Sequence, residues 1–191
     1  MGLRIQLNHL SNPCTNPEPC HIDFRILHDN GIHDVNLDFC GCERKQPKFT
    51  QLLHRQLFPA TQVNPRTCAT FSLLKSFHLL NLTSKINVYD FYRSLERLTD
   101  NTGLQLPKSR YRMLMRMTTQ WRHLKLLKRG GRGHDPSGAA GTKDGELAIL
   151  CPTCPHPGIN LPANWRESPA DQGSVLFSYM HFFSLMFFDS V

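Results

Sequence analysis

A chain of 191 residues with 40% apolar content is long enough for one medium domain or two small ones, each with a core. Seven cysteines are an odd number, which speaks against a closed disulfide framework, and the opening Met1-Gly2-Leu3-Arg4-Ile5 lacks the apolar stretch of a secretory signal. The expected setting is a reducing nucleus or cytoplasm, not the secretory route, and cysteine clusters there bind metal. The net charge of +7 has one source: residues 108–132 hold nine Lys or Arg and no acid, while the other 13 basic residues nearly balance all 15 acidic ones. A basic stripe of this kind points to a polyanion.

In chain order, Leu3, Ile5 and Leu7 alternate with Arg4 and Gln6, which predicts a strand. His9 and Cys14 follow in a turn-rich segment, then Cys20. Residues 24–43 are the most informative stretch. Asp29-Asn30-Gly31 is a hairpin turn, because Asn-Gly readily reaches positive φ. Beyond it Val35, Leu37 and Phe39 alternate with Asn36 and Asp38, and the run ends in Cys40-Gly41-Cys42. A rigid strand end then presents two thiols, the usual raw material of structural zinc. Folding residues 3–7 against the hairpin brings up His9 and Cys14. The predicted zinc set is His9, Cys14, Cys40 and Cys42, with Cys20 or His33 able to take one place. The competing reading is a group of buried, inert thiols, since Cys-x-Cys is tighter than the common Cys-x-x-Cys knuckle.

The pattern then turns helical. One helix is predicted over 49–58, ended by Pro59. A second opens at Pro65-Arg66-Thr67, with Phe71, Leu74, Phe77, His78 and Leu82 on one face. A third spans about 87–100, where Val88, Phe91, Tyr92, Leu95 and Leu98 give an i, i+3, i+4, i+7 stripe; Asn101-Thr102-Gly103 ends it. A fourth follows Pro107 and runs to about residue 128, with Met113, Leu114, Met117, Trp121, Leu124 and Leu127 as its apolar side. These stripes read as core. Around the fourth helix Arg112, Arg116, Arg122, Lys125, Arg129 and Arg132 are the predicted contacts to DNA phosphates. A plain solvated face normally mixes both signs, and this one does not.

Residues 129–134 break the last helix, 135–144 read as a loop, and 146–150 as a short strand. Cys151 and Cys154 form half of a possible second zinc site, needing a ligand from outside the chain, or His134 or His123. The alternative is a proline-stiffened turn. Residues 176–188 are very apolar but short for a membrane span, and read as a core element of a larger domain. No membrane partner is expected. The predicted fold is α+β: a small zinc-stabilised β-hairpin unit (1–47), a helical bundle with a basic fourth helix (48–134), and a loop-rich C-terminal part (135–191).

Taken in order, NGIHDVNLDFCGC, QLLHRQLFPAT, VYDFYRSLERLTDNTG, WRHLKLLKRGGRGHDP and CPTCPHPGINLP resemble the region ahead of the catalytic domain in Kyakuja-Dileera-Zisupton (KDZ) transposases. The resemblance runs from about Leu3 to Trp165. It implies transposon origin, a zinc-binding Cys-x-Cys-type cluster, DNA as target, other transposase subunits as partners, and a following RNase-H-like domain with metal-binding carboxylates. The chain departs from that pattern at both ends. Further upstream Cys and His residues are expected, and after Trp165 a strand ending in Asp-x-Asn-Phe, whereas this chain reads FFSLMFFDSV with Asp189 near the first carboxylate's position. Two-metal phosphoryl transfer needs several converging carboxylates. The expectation is therefore a truncated, non-catalytic relative that binds zinc and DNA. The alternatives are a fragment of an active transposase cut short by the gene model, or a transposon relic serving only as an interaction fragment.

Overall fold

The structure, a computed structural model, describes residues 4–7, 13–43, 45–105, 107–149, 154, 156–161, 163–164 and 167. The chain divides into two units, Met1–Gly141 and Thr142–Val191. The first unit carries all the strands and α-helices of the described residues. The protein is α+β, and the strands form two small sheets.

The predicted hairpin forms, with β3 (Arg25–His28) and β4 (Gly31–Asp34) paired antiparallel around Asp29-Asn30. Gly31 sits at φ 141°, and a Cβ there would lie 2.9 Å from Thr99 Oγ1. The run beyond the turn is not one strand, however. It breaks at Val35, and β5 (Asn36–Cys40) leaves the hairpin for the other sheet. There β5 is the central strand. It pairs in parallel with β1 (Arg4–Gln6), setting Ile5 opposite Leu37, and antiparallel with β2 (Pro17–Pro19), setting Pro17 opposite Cys40. Two prolines are tolerated in β2 because it is an edge strand. The thiols thus leave from the end of a central strand with neighbours on both sides, not from the end of the hairpin.

The expected all-helical middle holds two strands. Helix α1 (Lys48–His54) stops early because Gln56 takes φ 58°, and β6 (Leu57–Pro59) follows. Residues 67–70, expected in a helix, form β7, which completes a sheet of order β4-β3-β7-β6. Burial on both faces explains the change. Cys68 packs into a core with Leu7, Phe24, Leu37, Phe39 and Leu52. Its neighbour Ala69 packs into a larger core with Leu27, Phe77, Tyr92, Leu114 and Met117. A helix would turn these adjacent side chains about 100° apart, whereas a strand sends them to opposite faces.

Helix α2 (Phe71–Ser84) begins only after Thr70, whose side chain accepts from the Leu73 N–H. Helix α3 (Val88–Thr99) matches its predicted span, with Asn87 as N-cap and Asp100 receiving N–H groups of the following turn. Helix α4 (Tyr111–Arg129) packs Leu114, Met117 and Trp121 inward. Leu82, Leu98 and Leu124, expected on apolar faces, are instead exposed. Among the described residues no helix is long and apolar enough to cross a membrane.

Candidate metal centre

Three sulfurs meet at the C-terminal end of β5. Cys40 is its last residue and Cys42 lies just beyond Gly41. Cys14 precedes β2, and the antiparallel pairing of β2 with β5 draws it in. The Cys14 and Cys42 Sγ atoms are 3.3 Å apart, and the Sγ atoms of Cys14, Cys40 and Cys42 all lie within 4.8 Å of one another. Tetrahedral zinc with Zn–S of about 2.3 Å separates its sulfurs by about 3.8 Å, inside that range. Cys14 and Cys40 are buried and Cys42 is half-buried. The donor set suits a thiophilic ion, and the cluster could hold one.

The surroundings fix this geometry. Gln51 of α1, buried, receives the Cys40 N–H on Oε1 at 2.8 Å and donates from Nε2 to the Cys40 carbonyl at 3.1 Å. It also donates to the Gln46 carbonyl, tying residues 45–47 to the helix. The Gly41 N–H donates to the Asn16 carbonyl, and the Asn16 side chain donates back to the Gly41 carbonyl. Glu18 on β2 pairs with Lys45 and Lys48, which hold its carboxyl below the usual range. At Cys40 a backbone hydrogen bond from Cys42 lowers the thiol pKa. Burial and the neighbouring Cys42 and Cys14 thiols outweigh it, so the net shift is upward. Without a cation the Cys40 thiol therefore resists ionisation; a cation would reverse that balance.

The other predicted ligands are placed differently. His9 and Cys151 lie outside the described residues. Cys20 does not join the three sulfurs: it sits beside β5, where its Sγ accepts from the Leu37 N–H at 3.4 Å. His33 stays on the hairpin, its Nε2 2.7 Å from Asn30 Oδ1. Neither replaces a member of the cluster. Cys154, in the second unit, is half-buried, and its carbonyl accepts from the Asn160 amide. Gln51 was not among the predicted site residues. Its only signal was one amide inside a short apolar helix.

Of the predicted phosphate contacts, Arg112, Arg116, Lys125 and Arg129 are exposed on α4. Arg122 is engaged within the fold, donating to Asn81 Oδ1 at 2.8 Å and lying over the Phe77 ring. Arg132 forms an ion pair with Asp135 at 2.7 Å. Lys125 also lies over Trp121, at 5.5 Å from the ring centre.

No curated protein and no solved structure matches this chain. A family model does: residues 1–103 match the CxC2-like cysteine cluster associated with KDZ transposases. The matched span contains both sheets, helices α1 to α3, all three clustered sulfurs and Gln51, and it ends before α4. Because the match takes in more than half of the chain and the whole sulfur-bearing fold, the protein belongs to the family of CxC2-like cysteine clusters associated with KDZ transposases.

Proposed function

We propose that this chain is a zinc- and DNA-binding accessory region of a KDZ-type transposase, acting in the nucleus beside other transposase subunits and performing no catalysis itself. The observation that carries the reading is the convergence of the Cys14, Cys40 and Cys42 sulfurs at one strand end. Three thiolates select a soft or borderline cation, and zinc completes such sets with a fourth N or S ligand. His9 is the proposed fourth ligand. Structural zinc contributes about 10–16 kcal/mol of apparent binding energy in small modules. A sheet whose outer strands are only three residues each has much to gain from that.

The acid-free run 108–132 supports the DNA part of the reading. Its exposed cations suit phosphate contacts, which give affinity with little sequence choice. The family match, to a cysteine-cluster region, supports an accessory role. Elemental analysis of purified protein, paired with duplex-DNA binding at two salt concentrations, tests the whole reading. One zinc per chain, lost in the Cys14→Ser/Cys42→Ser protein, is expected, with DNA affinity that drops as salt rises. Folded, reduced protein without zinc rejects the metal assignment. Magnesium-dependent DNA cleavage abolished by Asp189→Ala rejects the non-catalytic one.

A further inference from the structure

Two exposed apolar side chains that the zinc and DNA reading does not use flank a groove. Leu124 of α4 is 48% exposed, and Val63, in the loop between β6 and β7, is 81% exposed. Both border an open cavity of about 950 Å³ between α1, that loop and α4. Leu53 and Phe58 contribute apolar surface to its lining, Arg116 of α4 contributes a positive charge, and His123 of α4 an imidazole. No Asp or Glu lines it.

The walls are pre-formed. The Ala60 N–H donates to the Thr67 carbonyl at 2.9 Å, and Thr61 Oγ1 donates to the Asn64 carbonyl at 3.0 Å, closing the loop that carries Val63. Trp121 packs edge-on against Phe58, with ring centres 5.9 Å apart, which anchors α4 along the other side. A ligand therefore meets an ordered surface and loses little to loop ordering.

The chemistry of the lining selects the occupant. Duplex DNA presents phosphates and sugars outward and offers only recessed thymine methyl groups to a hydrophobic trough. A protein segment with large apolar side chains and carboxylates matches both halves: its apolar groups cover Leu124 and Val63 while its acids meet Arg116 and His123. Apolar anchors laid into a groove with charges at the rim are a recurrent mode of peptide recognition. We propose that this groove is a docking site for an acidic, apolar-rich segment of a partner protein. It goes beyond the zinc and DNA reading, and it shares Arg116 with the proposed phosphate contacts.

A random phage-displayed peptide library, selected on the full-length protein and counter-selected on Val63→Ser/Leu124→Ser protein, tests it. Both replaced side chains are exposed, so the fold is retained, and the thermal transition checks this. Recovered peptides should combine Asp or Glu with Leu, Ile, Phe or Trp. A synthetic copy should bind wild type in fluorescence anisotropy, with affinity falling about ten-fold in Val63→Ser/Leu124→Ser. Arg116→Gln/His123→Gln should weaken it as well. Duplex-DNA affinity should be unchanged in Val63→Ser/Leu124→Ser, which separates this site from phosphate binding. Recovery of no peptides, of basic ones, or of peptides that bind the apolar variant equally overturns the proposal. So does an oligothymidylate whose affinity falls in that variant, which would assign the groove to single-stranded nucleic acid.

Discussion

Gln51 is 1% exposed, and both ends of its amide are engaged by the backbone of Cys40. Such a residue is invisible to periodicity, because a polar side chain in a half-apolar helix ordinarily faces water. Only the tertiary position of β5 turns it into a clamp. Gln51→Leu would strand an N–H and a carbonyl in a site closed to solvent. Each orphaned group costs about 1–3 kcal/mol, so urea unfolding should show a loss of about 2–6 kcal/mol. Metal affinity should fall about ten-fold or more with it, since groups that position a ligand matter nearly as much as the ligand itself. Cys68 makes a contrasting case. Burial, with a smaller contribution from Cys20, raises its pKa far above the ordinary 9.0. Below that value both native and unfolded chains keep the proton. Above it only the unfolded chain releases the proton, so the Cys68 contribution to stability falls as pH rises past 9. Cys68→Ala should flatten that alkaline decline in a comparison of unfolding at pH 8 and pH 10. The native thiol should also resist iodoacetamide until the protein unfolds.

At the scale of elements, the turn and the four helices were legible because their signals are local. Asn30-Gly31 marks the hairpin, Asn87 caps α3, and the α3 stripe buries Phe91, Tyr92 and Leu95. Two things were not legible. The Leu37 and Phe39 alternation is the same whichever sheet β5 joins, and the choice is made by non-local pairing with β1 and β2. Pro65-Arg66 precedes small residues, Thr67–Thr70, whose strand state depends on burial between two cores. The metal centre divides in the same way: Cys-x-Cys at a strand end is a local signal, and the approach of Cys14 follows from β2. Gly41 is the element-level weak point. A Cβ there would sit 2.8 Å from the Asn16 carbonyl oxygen and 3.0 Å from the Glu18 side chain. Glu18 can swing away, but the Asn16 carbonyl is backbone and would have to shift, carrying the Cys14 turn with it. Gly41→Ala should therefore weaken the metal site more than the fold. Cobalt substitution reads this directly: the thiolate charge-transfer band should lose intensity while the helical circular dichroism stays.

For the molecule as a whole, the basic segment is where sequence and structure divide most clearly. Nine positive residues share one run, yet three of them are committed to the fold: Arg110 to Asp23, Arg122 to Asn81 and Phe77, and Arg132 to Asp135. Rotation of about 100° per residue puts Arg112 and Arg116 on one side of α4 and Lys125 and Arg129 nearly opposite. One duplex cannot touch both sides. The last buried residue of α4 is Trp121, so Lys125, Lys128 and Arg129 stand on exposed final turns. Positive charge there also favours the helix C-terminus, which is the plain alternative to DNA contact. Salt separates the two. If these three neutralise phosphates, replacing all of them by Gln should make the slope of log affinity against log salt shallower by about 2.7 and weaken all duplex sequences alike. Arg122→Gln should behave differently, lowering the melting temperature through loss of its Asn81 and Phe77 contacts. A slope that survives the triple replacement, with a lower melting temperature instead, assigns the charges to the helix end. The DNA surface would then have to be sought on the Arg112 and Arg116 side.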